Sequence, residues 1–295
     1  MQHPEAKVAF ITGGASGVGL GQAKVFSAAG CRVVIADIRQ DHLDESLKYF
    51  TDKGQGGNVH GIKLDVTDRA AFEHAADETE RVFGKVHLLV NNAGVGVIGP
   101  IKLTKYADWD WGLDVLIGGV VNGIQTFLPR ILKHGEGGHI CSTSSMTGLL
   151  PIAPSPIYSL AKAGLVGMSE SMRAELEADN IGVSAFCPGP VQTNIRETGK
   201  LRPEKYKDSG YIEMEKQLQQ RPNSNNWMSH EECGERVLAG IRRNDLYIFT
   251  HREFKEGLAR KCDLMLDSFP DEPINTTRAN EIGFLLWPPV FAKKK

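Results

Sequence analysis

The sequence predicts an α/β fold: a doubly wound parallel sheet of seven strands in one domain spanning residues 1–295. Three observations lead there. Short apolar runs alternate with longer helical patterns along the chain. Those runs are continuous in Val, Ile and Leu rather than alternating with polar residues, as expected of strands buried on both faces beneath helices. No linker or internal repeat divides the 295 residues.

The candidate strands are VAFIT (8–12), RVVIAD (32–37), GIKLDV (61–66), HLLVNNAG (87–94), GHICSTSS (138–145), GVSAFCPG (182–189) and DLYIFT (245–250). LGQAKVFSAAG reads as a helix after the first of them, and two longer helices are expected over about 105–133 and 157–178. Residues 5–195 hold the first six of these strands. Between 194 and 230 the chain becomes polar and rich in Pro and Asn, with no persistent period. Long insertions of this kind are usually functional or mobile, so the segment is expected to be a substrate loop that closes as a lid. Residues 251–295 form a C-terminal extension. Its FLLWPPVF (284–291) is too apolar to lie free in water and is expected to pack over its own pocket or on a neighbour.

Composition narrows the function classes. A net charge of -2 gives no basic footprint for nucleic acid and no polybasic face for a membrane. The lysines at 293–295 read as a solvated tail. No apolar run looks long enough to span a bilayer, and MQHPEAK carries no export signal. Five scattered cysteines without a Cys-x-x-Cys pair fit reduced thiols in a cytoplasm. His134, His139, His230 and His251 show no paired spacing for a metal.

TGGASGVG (12–19) directly follows the first strand and precedes a helix. Gly13, Gly17 and Gly19, with Ser16 and Val18 between them, let the backbone turn tightly and approach a pyrophosphate at the positive end of that helix. Asp37 ends the second strand, where a carboxylate accepts both ribose hydroxyls. The expected cofactor is therefore NAD, because a 2′-phosphate would meet that carboxylate as a like charge. Arg39 is the exception to watch: it can stack on adenine or pair with such a phosphate.

Tyr158 and Lys162 stand at i and i+4 in IYSLAKAGLVGMSE, on one helix face. A free phenol titrates near ~10, and a neighbouring ammonium favours the phenolate, which makes Tyr158 a candidate base. Ser145 lies thirteen residues upstream of the tyrosine, with Ser142, Thr143 and Ser144 as nearby rivals, and the trio suggests an alcohol-oxidising proton relay.

The ordered set TGGASGVG, Asp65, NNAG (91–94), Ser145, Tyr158, Lys162 and PGPVQT (188–193) resembles the short-chain dehydrogenase/reductase family, with its Rossmann sheet. The resemblance implies that Asp65 and Val66 border the adenine, that Asn92 and Gly94 approach the cofactor, and that Asn91 braces the sheet. It implies that Pro188, Gly189, Val191 and Thr193 surround the nicotinamide, with Val191 and Thr193 holding its carboxamide, and that Lys162 also binds the nicotinamide ribose. Leu116 stands where the family usually has a fourth catalytic residue, an asparagine in a kinked helix. Gly118 and Gly119 can preserve the kink, so a retained but slower relay is expected, which Leu116→Asn should speed. Asn122 points to another face.

LRPEKY (201–206) followed by SGY (209–211), together with FITGGASG and the C-terminal extension, is similar to bacterial Cα-dehydrogenases that oxidise the benzylic alcohol of lignin-derived β-aryl ethers. Tyr206, Tyr211 and Trp227, with Met214 and Met228, supply flat or adaptable apolar surface for aryl rings. Leu150 and Ile152, with Leu149, follow the catalytic serine and can flank the reacting carbon. The expected ligand is a small aromatic alcohol. Other readings are a hydroxysteroid or other bulky secondary alcohol dehydrogenase, and an NAD-binding sensor without turnover. Small residues on the two long helices, Ala161, Ala163, Gly164 and Gly167 among them, and the family's habit imply a homodimer or homotetramer.

Overall fold

The computed structural model describes residues 3–291, so the lysines at 293–295 lie outside the described residues, and of the Phe284 side chain nothing is said. Seven parallel strands form one sheet: β1 (Val8–Thr12), β2 (Arg32–Asp37), β3 (Val59–Lys63), β4 (Val86–Asn91), β5 (Gly138–Thr143), β6 (Ile181–Cys187) and β7 (Tyr247–Phe249). Their order is β3-β2-β1-β4-β5-β6-β7. The expected sheet is present in full, with each strand trimmed by a residue or more at its polar end except the first two. The third strand is shifted: it starts at Val59, and Leu64–Val66 lies beyond it in the turn toward the next helix.

Helices α1 (Gly17–Ala28) and α2 (Gln40–Asp52) cover one face, and α3 (Arg69–Phe83), α4 (Tyr106–Leu113) and α5 (Gly119–His134) follow along the chain. After the short α6 (Met146–Leu149) come α7 (Pro156–Glu175), α8 (Ile212–Gln219), α9 (His230–Arg243) and α10 (Lys255–Asp267). Local signals set the boundaries. Asp68 caps α3 by accepting from Ala71 N, and Ser229 caps α9 by accepting from Glu232 N. Pro156 occupies the first turn of α7, where its missing N–H costs nothing, and α5 ends on Gly135 in the left-handed region. Successive strand residues fill two cores. Phe10, Val34, Leu89 and Ile140 meet Phe72, Ile124, Phe127 and Leu165 on one side. Ile11, Ile35, Val90 and Phe186 meet Phe26, Leu43, Val237 and Ile241 on the other.

Contrary to the sequence expectation, the stretch Tyr106–His134 is long and apolar enough by composition to cross a membrane, yet half of its most apolar window is buried in the protein. Val120, Ile124, Phe127 and Ile131 of that stretch form the core, which accounts for its hydropathy.

Helices α1 and α9 cross almost backbone to backbone. A Cβ added to Gly21 would lie 1.9 Å from the His230 carbonyl oxygen. Gly21→Ala is therefore expected to destabilise the fold by about 1–3 kcal/mol, outweighing a helix-propensity gain of about 1 kcal/mol. Urea unfolding measures the difference.

Candidate active site

The sheet order reverses between β1 and β4, which opens a crevice at their carboxyl ends. The glycine turn and the NNAG segment meet there. Gly13 has φ +62°, and a Cβ on it would lie 2.9 Å from Ala93 Cα; a Cβ on Gly19 would lie 2.1 Å from the Gly13 carbonyl oxygen. Only glycine fits both places. Asn92 Nδ2 donates to the carbonyls of Thr12 (3.1 Å) and Gly13 (3.3 Å), while Thr12 Oγ1 accepts from the N–H groups of Asn92 and Ala93. Thr12 carries this junction although no sequence signal singled it out. Asn91 is buried at the end of β4 beneath Gly123 of α5, its side-chain amide without a hydrogen-bond partner among the described residues.

Asp37 stands at the end of β2, 7% exposed, and its two oxygens accept from Ala15 N (3.2 Å) and Arg39 N (3.1 Å). Burial pushes its carboxyl above the usual range, and the backbone N–H groups oppose that. Arg39 turns its guanidinium away onto Asp41, with Nε 2.8 Å from Oδ1. Asp65 folds into a turn around Thr67, whose N–H it accepts at 2.9 Å. Val66 packs beneath Gly119, and Asn122 donates to the Val66 carbonyl at 2.9 Å, on a face of α5 away from the catalytic trio. At the other side of the crevice Pro188 O accepts from Met146 N (2.9 Å), Gly189 N donates to Thr250 Oγ1 (2.9 Å), and Val191 bridges to Met228. Thr193 lies against Gly17, and Ser16 Oγ donates to Asn194 Oδ1 (3.3 Å) in place of capping α1. Val18 packs into the core below. These glycine cradles, with a buried carboxylate at the ribose position, fit a dinucleotide.

The catalytic trio comes together around the end of β5. Ser145 caps α6, its Oγ accepting from Thr147 N at 3.0 Å, and it also hydrogen-bonds to Tyr158. Its rivals are occupied elsewhere: Ser144 Oγ donates to the Lys162 carbonyl at 2.6 Å, and Ser142 is buried in β5. Lys162 is 4% exposed; its Nζ donates to the Thr143 carbonyl at 2.6 Å and stands 5.5 Å from the centre of the Tyr158 ring. One expectation changes here. Burial, which outweighs every other influence on it, pushes the Tyr158 phenol up to about 12, and the Ser145 hydrogen bond lowers it. Burial brings Lys162 itself down to about 8.

Leu116 is 1% exposed, packed with Val95, Trp111 and Ile157, and one of its methyls would be 3.2 Å from a Cβ on Gly94. The kink expected at this point is a π turn over Asp114–Gly118, in which Gly119 N donates to the Asp114 carbonyl five residues back. The backbone therefore deviates with leucine in place. Because the π turn does not need the amide, the expected gain from Leu116→Asn reverses. The substitution should cost about 1–3 kcal/mol by burying an amide among apolar groups and give no increase in kcat, as urea titration and steady-state rates will measure.

The candidate substrate residues separate into two groups. Leu150 is half-buried near Met146 and Phe254, Ile152 is exposed, and Trp227 is half-buried with the Arg196 guanidinium 4.6 Å from its ring. Tyr206 and Tyr211 are 8% and 1% exposed, inside the cluster on which Tyr158 packs. Their hydroxyls bond to Asp114 and Thr104 respectively. The structure thus makes these two tyrosines anchors of the loop. The loop itself is structured, with 3-10 turns at Ile195–Leu201 and Glu204–Tyr206 before α8. In the apolar tail Leu285, Trp287 and Phe291 are exposed, and the turn Pro289–Phe291 lies against α7.

Known proteins share this arrangement. The chain is 42% identical over 270 residues to the C alpha-dehydrogenase of Sphingobium sp. (strain NBRC 103272 / SYK-6), covering 91% of this chain and 88% of that one. The apo form of LigO from Sphingobium sp. strain SYK-6 has a TM-score of 0.78 at 39% identity, covering 98% of each chain. A short chain dehydrogenase/reductase from Burkholderia phymatum, in complex with NAD, has a TM-score of 0.84 at 30% identity over 93% of this chain and 100% of that one. The short chain dehydrogenase profile matches residues 7–203, and on that match, with the sheet order and crevice it describes, the chain belongs to the short chain dehydrogenase family.

Proposed function

We propose that this enzyme oxidises the benzylic Cα secondary alcohol of a lignin-derived β-aryl ether, of the guaiacylglycerol β-guaiacyl ether type, to the aryl ketone, with NAD as cofactor. The observation that carries the substrate class is the extent of similarity to the Sphingobium Cα-dehydrogenase. It covers 91% of the chain, well past the family match that ends at residue 203 and into the segments where substrate choice resides.

Asp37 receives the adenosine ribose, and Gly13, Ser16, Gly17, Val18 and Gly19 receive the pyrophosphate at the start of α1. Asp65 and Val66 border the adenine, and Asn92 and Gly94 line the floor. Pro188, Gly189, Val191 and Thr193 hold the nicotinamide end. NAD, when bound, supplies the hydride acceptor. Ser145 holds the alcohol oxygen, Tyr158 takes its proton, and Lys162 beneath the relay favours the deprotonated state of the pair. Leu150, Ile152 and Trp227 are the candidates for aryl contact. The exposed small residues Ala163, Gly164 and Gly167 on α7, with exposed Val121 and Leu132 on α5, support a homodimer or homotetramer, which light scattering tests.

Each separated stereoisomer of guaiacylglycerol β-guaiacyl ether should be offered with NAD, with NADP and a steroid alcohol run alongside. NADH formation from at least one aryl ether isomer, faster than from the steroid, is the expected result. No turnover of any isomer, with NAD binding intact, would overturn the substrate class.

A further inference from the structure

The distinctive loop motif converges on one carboxylate. Asp108, on α4, is 0% exposed. Its Oδ1 accepts from Ser209 Oγ at 2.5 Å and pairs with Arg202 Nη2 at 3.2 Å; its Oδ2 accepts from Gly210 N and Lys105 N, each at 3.0 Å. Arg202 Nη2 also bonds to Glu215 of α8, and the guanidinium lies 4.1 Å from the Trp111 ring centre. Arg202 and Glu215 are each 7% exposed. LRPEKY, SGY and α8 are thus tied to the helix leading into the π turn by ionic groups removed from water. The other end of the loop is held differently. Nearer the surface, Asn194 meets Ser16, Asn223 donates to the Thr193 carbonyl at 2.8 Å, and Arg196 Nη1 donates to the carbonyls of Arg221 (2.8 Å) and Pro222 (2.7 Å), with no buried ion pair among these contacts.

We propose that Asp108, Arg202 and Glu215 form a substrate-positioning lock that holds residues 202–215 as a fixed wall of the alcohol site, leaving only the Thr193 end of the loop to move. Two observations favour positioning over bulk stability. Arg202 Nε and Nη1 have no hydrogen-bond partner among the described residues, and two buried carboxylates share one cation, a poor stabiliser compared with apolar packing. The locked segment also reaches the chemistry. Tyr206 and Tyr211 sit with Val95, Val97, Leu116 and Ile157 in the cluster against which Tyr158 packs, and a Cβ on Gly99 would lie 2.2 Å from the Tyr211 ring. The wall borders the segment after β4 through the Tyr211 ring against Gly99.

The inference rests on the alcohol-dehydrogenase reading. Its test is run with whichever secondary alcohol the wild type turns over fastest, so a wrong substrate class appears in the wild type and a wrong lock appears in the variants. Arg202→Met, which keeps the stem on Trp111, should raise the KM for the alcohol about tenfold or more, with kcat and the NAD dissociation constant each within about twofold. Trypsin should cleave it faster at Lys200, Lys205 and Lys207, the exposed sites around the lock. Glu215→Gln leaves the Arg202–Asp108 pair in place and should move KM the same way by less; Arg202→Lys should restore part of the loss. An unchanged alcohol KM in both Arg202→Met and Glu215→Gln overturns the proposal, as does an equal loss of NAD and alcohol binding. If Arg202→Met does not fold, Glu215→Gln decides.

Discussion

Tyr158→Phe is expected to lower kcat for alcohol oxidation by about 10²- to 10⁴-fold, the span that a positioned general base contributes, and to leave NAD binding intact. The ring stays in place against the cluster of Leu116, Ile157 and Tyr206, so the substitution removes one oxygen and little packing. That oxygen is the one Ser145 touches. Without it the alcohol proton has no acceptor beside Ser145, because the neighbouring hydroxyl of Ser144 is engaged by the Lys162 carbonyl. Activity near the wild-type level would remove Tyr158 as the base and with it the relay. Turnover by the wild type that the NAD-binding variant lacks separates the enzyme reading from a sensor.

The fold was legible because its signals are local and repeated. Continuous apolar strands, a glycine turn between β1 and α1, and a carboxylate ending β2 each lie within a short window, and the sheet order follows from how such units wind. The proximity of the candidate trio was legible for the same reason: Tyr158 and Lys162 share one helical face, and Ser145 follows β5 as the cap of α6. The substrate loop was not. An aromatic residue in a polar segment looks the same whether its ring faces a ligand or the core. The groups that decide lie far away in sequence: Asp108 is 101 residues from Ser209, Asp114 is 92 from Tyr206 and Thr104 is 107 from Tyr211. The π turn escaped too, since a one-residue slip of helical register leaves no periodic trace beyond Gly118 and Gly119. The phenol's acidity needed the structure as well. Spacing on a helix brought the ammonium near, while burial, which sequence spacing does not reveal, dominates both groups.

That burial sets the expected pH dependence, which Lys162→Met should shift to higher pH while removing most of the rate at neutral pH. With both groups protonated, the pair cannot take the alcohol proton; it must first lose one of its own. The proton that leaves first is shed where the more acidic member titrates, and that is Lys162, brought down to about 8, since Tyr158 is pushed up to about 12. The value belongs to the pair rather than to either residue, and the singly protonated pair can place its remaining proton on the amine and present a phenolate to the substrate. Oxidation should therefore rise about tenfold per pH unit below about 8 and level off above it. Methionine at 162 fills a similar space with no proton to lose and no charge to hold a phenolate, leaving Tyr158 to titrate alone at its raised value. Its kcat should fall by about 10²-fold or more at neutral pH, and its rate should keep climbing past the wild-type plateau toward the tyrosine's own range. A Lys162→Met enzyme with the wild-type inflection would mean that another group controls the proton, and His251, beside Gly189 and bonded to Thr250 at 2.6 Å, is the first to replace.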